Sequence, residues 1–230
     1  MGSLIDVFLK YQGLFGQAVI LTITLSIGTV LISTILGSLM ALMKISKNIV
    51  LRGIASIYVA FIRGTPLLVQ IYMVFYGLPM LGINIPSVEI LGTDCSRYLS
   101  GLIALVINST AYVCEIVRGG ILSIDDGQTE ASRSLGFNKA QTMLYIIFPQ
   151  AIKNILPALG NEFVSIIKES SQVSVIGLAE LMYTTNTVRA ISFRSFEPLI
   201  IVSIIYFILT FVTSTLVKKL ENKLAKSNRT

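Results

Sequence analysis

The sequence predicts an all-α integral membrane protein with five membrane-spanning helices, and three observations lead there. Mean hydropathy is +0.79, with 53% apolar and only 13% charged residues in a chain of 230. A water-facing surface draws on about 25% charged residues, roughly twice this supply. Apolar runs long enough for a hydrocarbon core of about 30 Å, which takes about 20 helical residues, recur along the chain. Lys and Arg gather in alternate loops between those runs.

The same composition narrows the function. A disordered chain and an ordinary soluble enzyme are excluded. The net charge of +6 fits either nucleic acid or a membrane surface, and hydropathy decides for the membrane. With no His in the chain, a His-based triad, a His proton shuttle and a His-ligated metal are all ruled out. Cys95 and Cys114 have no CxxC neighbour, so neither a metal site nor a disulfide framework is expected.

The first span covers residues 18–43, is uncharged and ends at Lys44. It is too long for the apolar part of a signal peptide and has no basic stretch before it, so it reads as retained. The second covers residues 54–81 and is interrupted by Arg63-Gly64-Thr65-Pro66. Thr65 is an N-cap candidate with Pro66 at the first helical position, so a helix starts there. If that start lies at membrane depth, its positive dipole end faces a substrate carboxylate. The plainer reading, which we prefer, makes residues 50–63 a cytoplasmic interfacial helix, begins the span at Pro66 and leaves Arg63 as an inner-leaflet anchor.

The third span, residues 98–117, holds one acid, Glu115, and a polar stretch to residue 150 follows it. The fourth, residues 152–169, is the most polar of the set. The fifth, residues 197–217, ends abruptly at Lys218-Lys219. Residues 180–197 hold no spanning run. The small, polar segment 170–177 before them suits a short re-entrant or gate-lining piece, since non-helical backbone survives at membrane depth only when buried in protein or facing a cavity. No internal repeat is visible, so the inverted-repeat signature of many secondary transporters is missing.

Orientation follows from the basic residues. With Arg63 and Lys168 left out as lying in or near spans, twelve cations, from Lys44, Lys47 and Arg52 through Arg118, Arg133, Lys139 and Lys153 to the five in the tail from Lys218 on, fall on one side, against four on the other: Lys10, Arg97, Arg189 and Arg194. The positive-inside rule places the N-terminus outside, the C-terminus inside and residues 123–149 in the cytoplasm.

That cytoplasmic stretch reads as helix, break, helix. Residues 128–135 suit a helix, Gly136 sits where a left-handed C-cap belongs, and Asn138 can cap a second helix over 139–146, stopped near Pro149. Phe137, expected to be exposed beside the break, suggests insertion into a partner's pocket. Glu130-Ala131-Ser132, Leu135-Gly136 and Phe148-Pro149 together resemble the EAA motif in the permease subunits of bacterial ABC importers. Three further stretches are similar to the polar amino-acid permeases, which import histidine, glutamine, arginine and related amino acids. These are residues 61–70 (FIRGTPLLVQ), 111–120 (AYVCEIVRGG) and 156–162 (LPALGNE). The resemblance spans essentially the whole chain. Ser132 stands where a second Ala is usual, Phe148 replaces a common Leu, and Ser170-Ser171-Gln172 differs from the family's Thr-Ser-Leu.

The resemblance implies a type I ABC importer permease fold in the bacterial inner membrane. It implies two cytoplasmic ATPase subunits, a second permease copy (a homodimer) or a paralogue, and an extracytoplasmic substrate-binding protein. Glu130, Ala131, Ser132, Leu135, Gly136, Phe137 and Asn138 would form the coupling helices docked on the ATPase. The chain has no Gly-x-x-x-x-Gly-Lys-Ser/Thr, so it carries no cofactor of its own, and ATP and Mg belong to the partner.

Ionisable groups at bilayer depth cost at least about 2.5–3.5 kcal/mol and by default face a bundle interior. Asn108, Tyr112 and Glu115 lie at i, i+4 and i+7 on the third span; Glu162, Ser165 and Glu169 lie at i, i+3 and i+7 on the fourth. Two inward acidic stripes would attract an α-ammonium or a cationic side chain. Glu162, Glu115, Asn108, Asn161, Ser165 and Glu169 are therefore the candidate substrate contacts, with no catalytic group and no metal. Blander roles compete: Glu115 can pair with Arg118, Glu169 can sit solvated beside Lys168, and Asn108 and Asn161 can be interhelical glue. The expected function is ATP-driven import of a polar amino acid by alternating access, basic for preference (arginine first, then lysine or histidine), with glutamine or another neutral or acidic amino acid as the alternative. A passive cation pore has no use for the docking elbow, and an intramembrane enzyme lacks a catalytic pair.

Overall fold

The computed structural model describes residues 2–90 and 93–226. The first helix, α1, runs Gly2–Ile45, sixteen residues further toward the N-terminus than the expected span. Tertiary packing is the reason: Val7, Phe15 and Ala18 are buried against Leu181, Val188, Ile201 and Val202 near the chain's other end. Hydroxyls inside α1 are satisfied by its own carbonyls, as in Ser26 Oγ donating to Thr22 O at 2.7 Å and Thr29 Oγ1 to Leu25 O at 2.8 Å.

The expected second span is two helices, α2 (Ile49–Arg63) and α3 (Leu67–Met80), bent by 107° at the break between them. Asn48 caps α2, accepting from Val50 N and Leu51 N, while Ala55, Val59 and Ile62 form its buried face. The separate helix preferred over 50–63 is thus present. The cap is corrected: Pro66, at φ −65° and ψ 137°, occupies the N-cap itself and α3 begins at Leu67. The proline ring, with no N–H, forces the preceding residue out of the helical region. Thr65 Oγ1 turns back instead to Phe61 O at 3.0 Å.

A two-stranded hairpin, β1 (Glu89–Ile90) and β2 (Thr93–Asp94), leads into α4 (Cys95–Leu122), which Asp94 caps through Ser96 N. α4 is the centre of the molecule. Gly28 lies against Leu102, Gly37 against Val113, and Ser33 bonds Ser109, so α1 and α4 run side by side in the same direction. A Cβ on Gly37 would meet Val113 at 2.6 Å, so this close approach requires glycine.

At the Lys44 end, α5 (Asp126–Ser134) and α6 (Lys139–Thr142) form the elbow. Gly136 has the expected left-handed φ of 88°, and Asn138 and Gln141 complete a capping box. Pro149 does not stop the second helix as expected. A π-turn, Met143–Ile147, widens the backbone just ahead of it, and the helix continues as α7 (Phe148–Glu169) and then a 3-10 turn, Ser170–Ile176. Gly177, at φ 79°, ends that turn, which is the expected short non-α piece. Helix α8 (Leu181–Ser192) fills the segment without a span, and α9 (Glu197–Lys226) returns along α7, with Gly160 packed on Val217. Among the described residues four helical runs are long and apolar enough to cross a bilayer: Leu4–Ile45, Cys95–Leu122, Lys139–Ile176 and Glu197–Lys223. Counted as one broken span, the bent pair brings the number to five.

Candidate functional site

Halfway along α4, two neighbouring polar residues reach different partners. Asn108, the fourteenth of 28 residues in the helix, donates from Nδ2 to Gln70 Oε1 of α3 at 2.9 Å. Gln70 Nε2 in turn donates to Ile62 O at 2.8 Å and Thr65 Oγ1 at 2.9 Å. The break between α2 and α3 is thereby tied to the midpoint of α4. Arg63 enters the same place with its guanidinium 5.3 Å from the ring centroid of Tyr112. Burial leaves Gln70 and Asn108 at 4% and 5% exposure, so this pair acts as interhelical glue.

Ser109 faces the other way and joins three helices. Its Oγ lies 3.2 Å from Ser33 Oγ on α1 and donates to Glu162 Oε1 on α7 at 2.8 Å. Ser165 and Glu169 continue the line along α7, all three being half-buried. Among the described residues no cation pairs with Glu162. A half-buried carboxylate holding one hydroxyl bond and no counter-ion can accept an ammonium or guanidinium. Asn161, next to it, is exposed and takes no part in the cluster.

Glu115 is placed elsewhere than the substrate reading expected. Lys44, at the end of α1, pairs with its Oε1, and Arg118 donates to its Oε2 from Nη2 at 2.8 Å and from Nε at 3.0 Å. Both carboxylate oxygens are occupied. The acid on α4 therefore belongs to an ion-pair cluster, the local-pair alternative extended by a second cation. Gln70, Ser33, Ser109 and Lys44 were not among the sequence candidates. A polar residue on each side of the Thr65-Pro66 break was the available signal for Gln70. Hydroxyls so often bond their own helix that Ser33 and Ser109 carried none.

In the elbow, Ser132 is buried and its hydroxyl lies 2.6 Å from Thr142 Oγ1, clasping α5 to α6. Arg133 Nη1 donates to Phe137 O at 2.9 Å. Phe137 is half-buried, against expectation, because the left-handed Gly136 folds it back toward the elbow. Leu135 is the apolar residue left out, at 79% exposure, and Glu130, Ala131, Gly136 and Asn138 are exposed around it.

Residues 33–226 match the family described as "Binding-protein-dependent transport system inner membrane component". The chain belongs to this family. The permease is thus a multi-pass inner-membrane protein and a transport component rather than an enzyme, ATP hydrolysis in such systems residing in separate subunits. The arginine transport system permease protein ArtQ of Bacillus subtilis is 38% identical over 212 residues, covering 92% of each chain. The putative glutamine transport system permease protein GlnP of Rickettsia typhi is 37% identical over 208, covering 90% of this chain and 91% of its own. A chain in the crystal structure of an amino acid ABC transporter with histidines superposes at a TM-score of 0.85 with 45% identity, over 94% of the permease and 96% of that chain. The MetNI methionine ABC transporter, at 16% identity and a TM-score of 0.66, shares the fold. The permease has the type I importer fold that the sequence led us to expect.

Proposed function

We propose that this permease carries a polar amino acid inward by alternating access, with basic amino acids preferred, arginine first and then lysine or histidine. The relatives named for arginine and glutamine transport support amino-acid import. The observation that carries the basic preference is Glu162: half-buried, bonded to Ser109 and without a counter-ion among the described residues. The carboxylate takes the guanidinium or ammonium of the substrate, and Ser165 and Glu169 extend its wall. Asn108 holds Gln70 and sets the depth at which α3 begins. In this reading the N-terminus is outside, and the elbow at the Lys44 end docks in the cytoplasm on two ATPase subunits through the surface around Glu130, Ala131, Leu135 and Asn138. A second permease, a copy or a paralogue, completes the path, and an extracytoplasmic binding protein delivers the substrate.

A calorimetric titration of arginine into purified permease tests this directly. Glu162→Gln is expected to weaken binding about tenfold or more, since a charge-assisted bond is worth about 1.5–3 kcal/mol. Unchanged affinity would remove Glu162 from the site. The near-equal identity to relatives named for arginine and glutamine favours one second reading, a neutral substrate whose α-ammonium sits on Glu162. ATPase stimulation of the reconstituted complex across a panel of amino acids separates the two.

A further inference from the structure

The turn between α8 and α9 carries a feature the transport reading does not use. Phe193 is the one non-glycine residue with positive φ among the described residues, at φ 54° and ψ 25°, a left-handed conformation that is strained for a bulky side chain. It is also 95% exposed, and Phe196, three residues on, is 69% exposed. The strained cap thus presents two exposed aromatic rings at one turn.

On the protein side the turn is fixed: Leu181 and Val188 of α8 are buried with Ile201 and Val202 of α9, and Arg194 Nη1 donates to Glu197 Oε1 at 3.0 Å. On the open side, Phe196 starts an exposed stripe down α9 that continues through Ile204, Phe207 and Phe211, a face of a helix long and apolar enough to span a membrane. Phe193 and Phe196 add two exposed rings in the residues just ahead of that helix. Arg189, one turn before Phe193, is half-buried and donates from Nη1 to Asn186 Oδ1 at 3.1 Å, while Arg194 lies between the two phenylalanines in the chain. Exposed aromatic rings with a guanidinium between them in the chain, just ahead of an open apolar stripe, match the boundary between acyl chains and anionic headgroups.

We propose that the α8–α9 turn is an interfacial anchor, with Phe193 and Phe196 inserted at the headgroup boundary of the leaflet on that side and Arg194 at the phosphates. The occupant is lipid, and the proposal holds whichever leaflet this is and whatever the substrate.

The chain has no Trp, which supplies the test. Phe193→Trp in the complete transporter, reconstituted in lipid brominated close to the headgroup and compared with the parent complex, adds one indole whose emission reports its neighbours. The expected result is that bromolipid quenches most of the added emission and aqueous iodide quenches little. Quenching by iodide instead would place the ring in water, and protection from both quenchers would place it against a protein; either outcome overturns the anchor. Phe196→Trp, at a residue without left-handed φ, is read by the same criteria should Phe193→Trp fail to assemble.

Discussion

Two carboxylates on adjacent helices behave differently. Glu115 on α4 is held by Lys44 and Arg118, both of its oxygens spent on cations. Glu162 on α7 has one hydroxyl partner, Ser109, and no cation among the described residues. In the sequence both are acids on polar helical stripes within apolar spans. The difference arises because α1 and α4 run in the same direction, so the cation that closes α1 arrives beside the acid near the same end of α4. Nothing comparable reaches Glu162, whose neighbours Ser33 and Ser109 lie further from that end.

The largest expected effect that would break this contrast is at Glu162. Glu162→Gln should lower arginine affinity about 10- to 100-fold in calorimetry while leaving the thermal unfolding midpoint unchanged or slightly raised, because an unpaired half-buried charge is removed. Glu115→Gln should do the reverse. Losing charge-assisted bonds to two cations costs about 2 kcal/mol in stability, read by thermal unfolding in detergent, with arginine affinity held within about twofold. If both variants lose binding equally, the two acids are not separate sites. Gly37→Ala, between Ser33 and Lys44 on α1, sharpens the comparison. Its Cβ would press α1 off α4 at Val113, costing about 1–3 kcal/mol by overpacking and loosening both clusters together. The smallest stability effect, within about 0.5 kcal/mol, is expected for Leu135→Ser on the open face of the elbow. Arginine binding should persist while substrate-stimulated ATPase activity falls; unaltered stimulation would show that this residue does not dock.

Much of this was legible in the sequence. Gly136 and Asn138 announce the elbow because a left-handed cap and a side-chain acceptor are local requirements, met within a few residues. Thr65-Pro66 announces the break for the same reason, although Pro66 rather than Thr65 occupies the cap because the Thr65 hydroxyl turns back to Phe61 O. Pro149 misled, since a π-turn can absorb a proline that would otherwise end a helix, and a wider turn leaves no sequence pattern. Phe137 misled because exposure depends on where Gly136 directs the chain, which passes the outward role to Leu135.

The sequence by itself determined that the chain lives in a bilayer, where the elbow and the α2–α3 break fall and which of its residues are charged there, because hydropathy, capping and proline geometry act over a turn or two. Only the tertiary structure decided which charge meets which. Lys44 and Glu115 are 71 residues apart and Ser109 and Glu162 are 53 apart, and their meeting depends on the relative direction and register of packed helices.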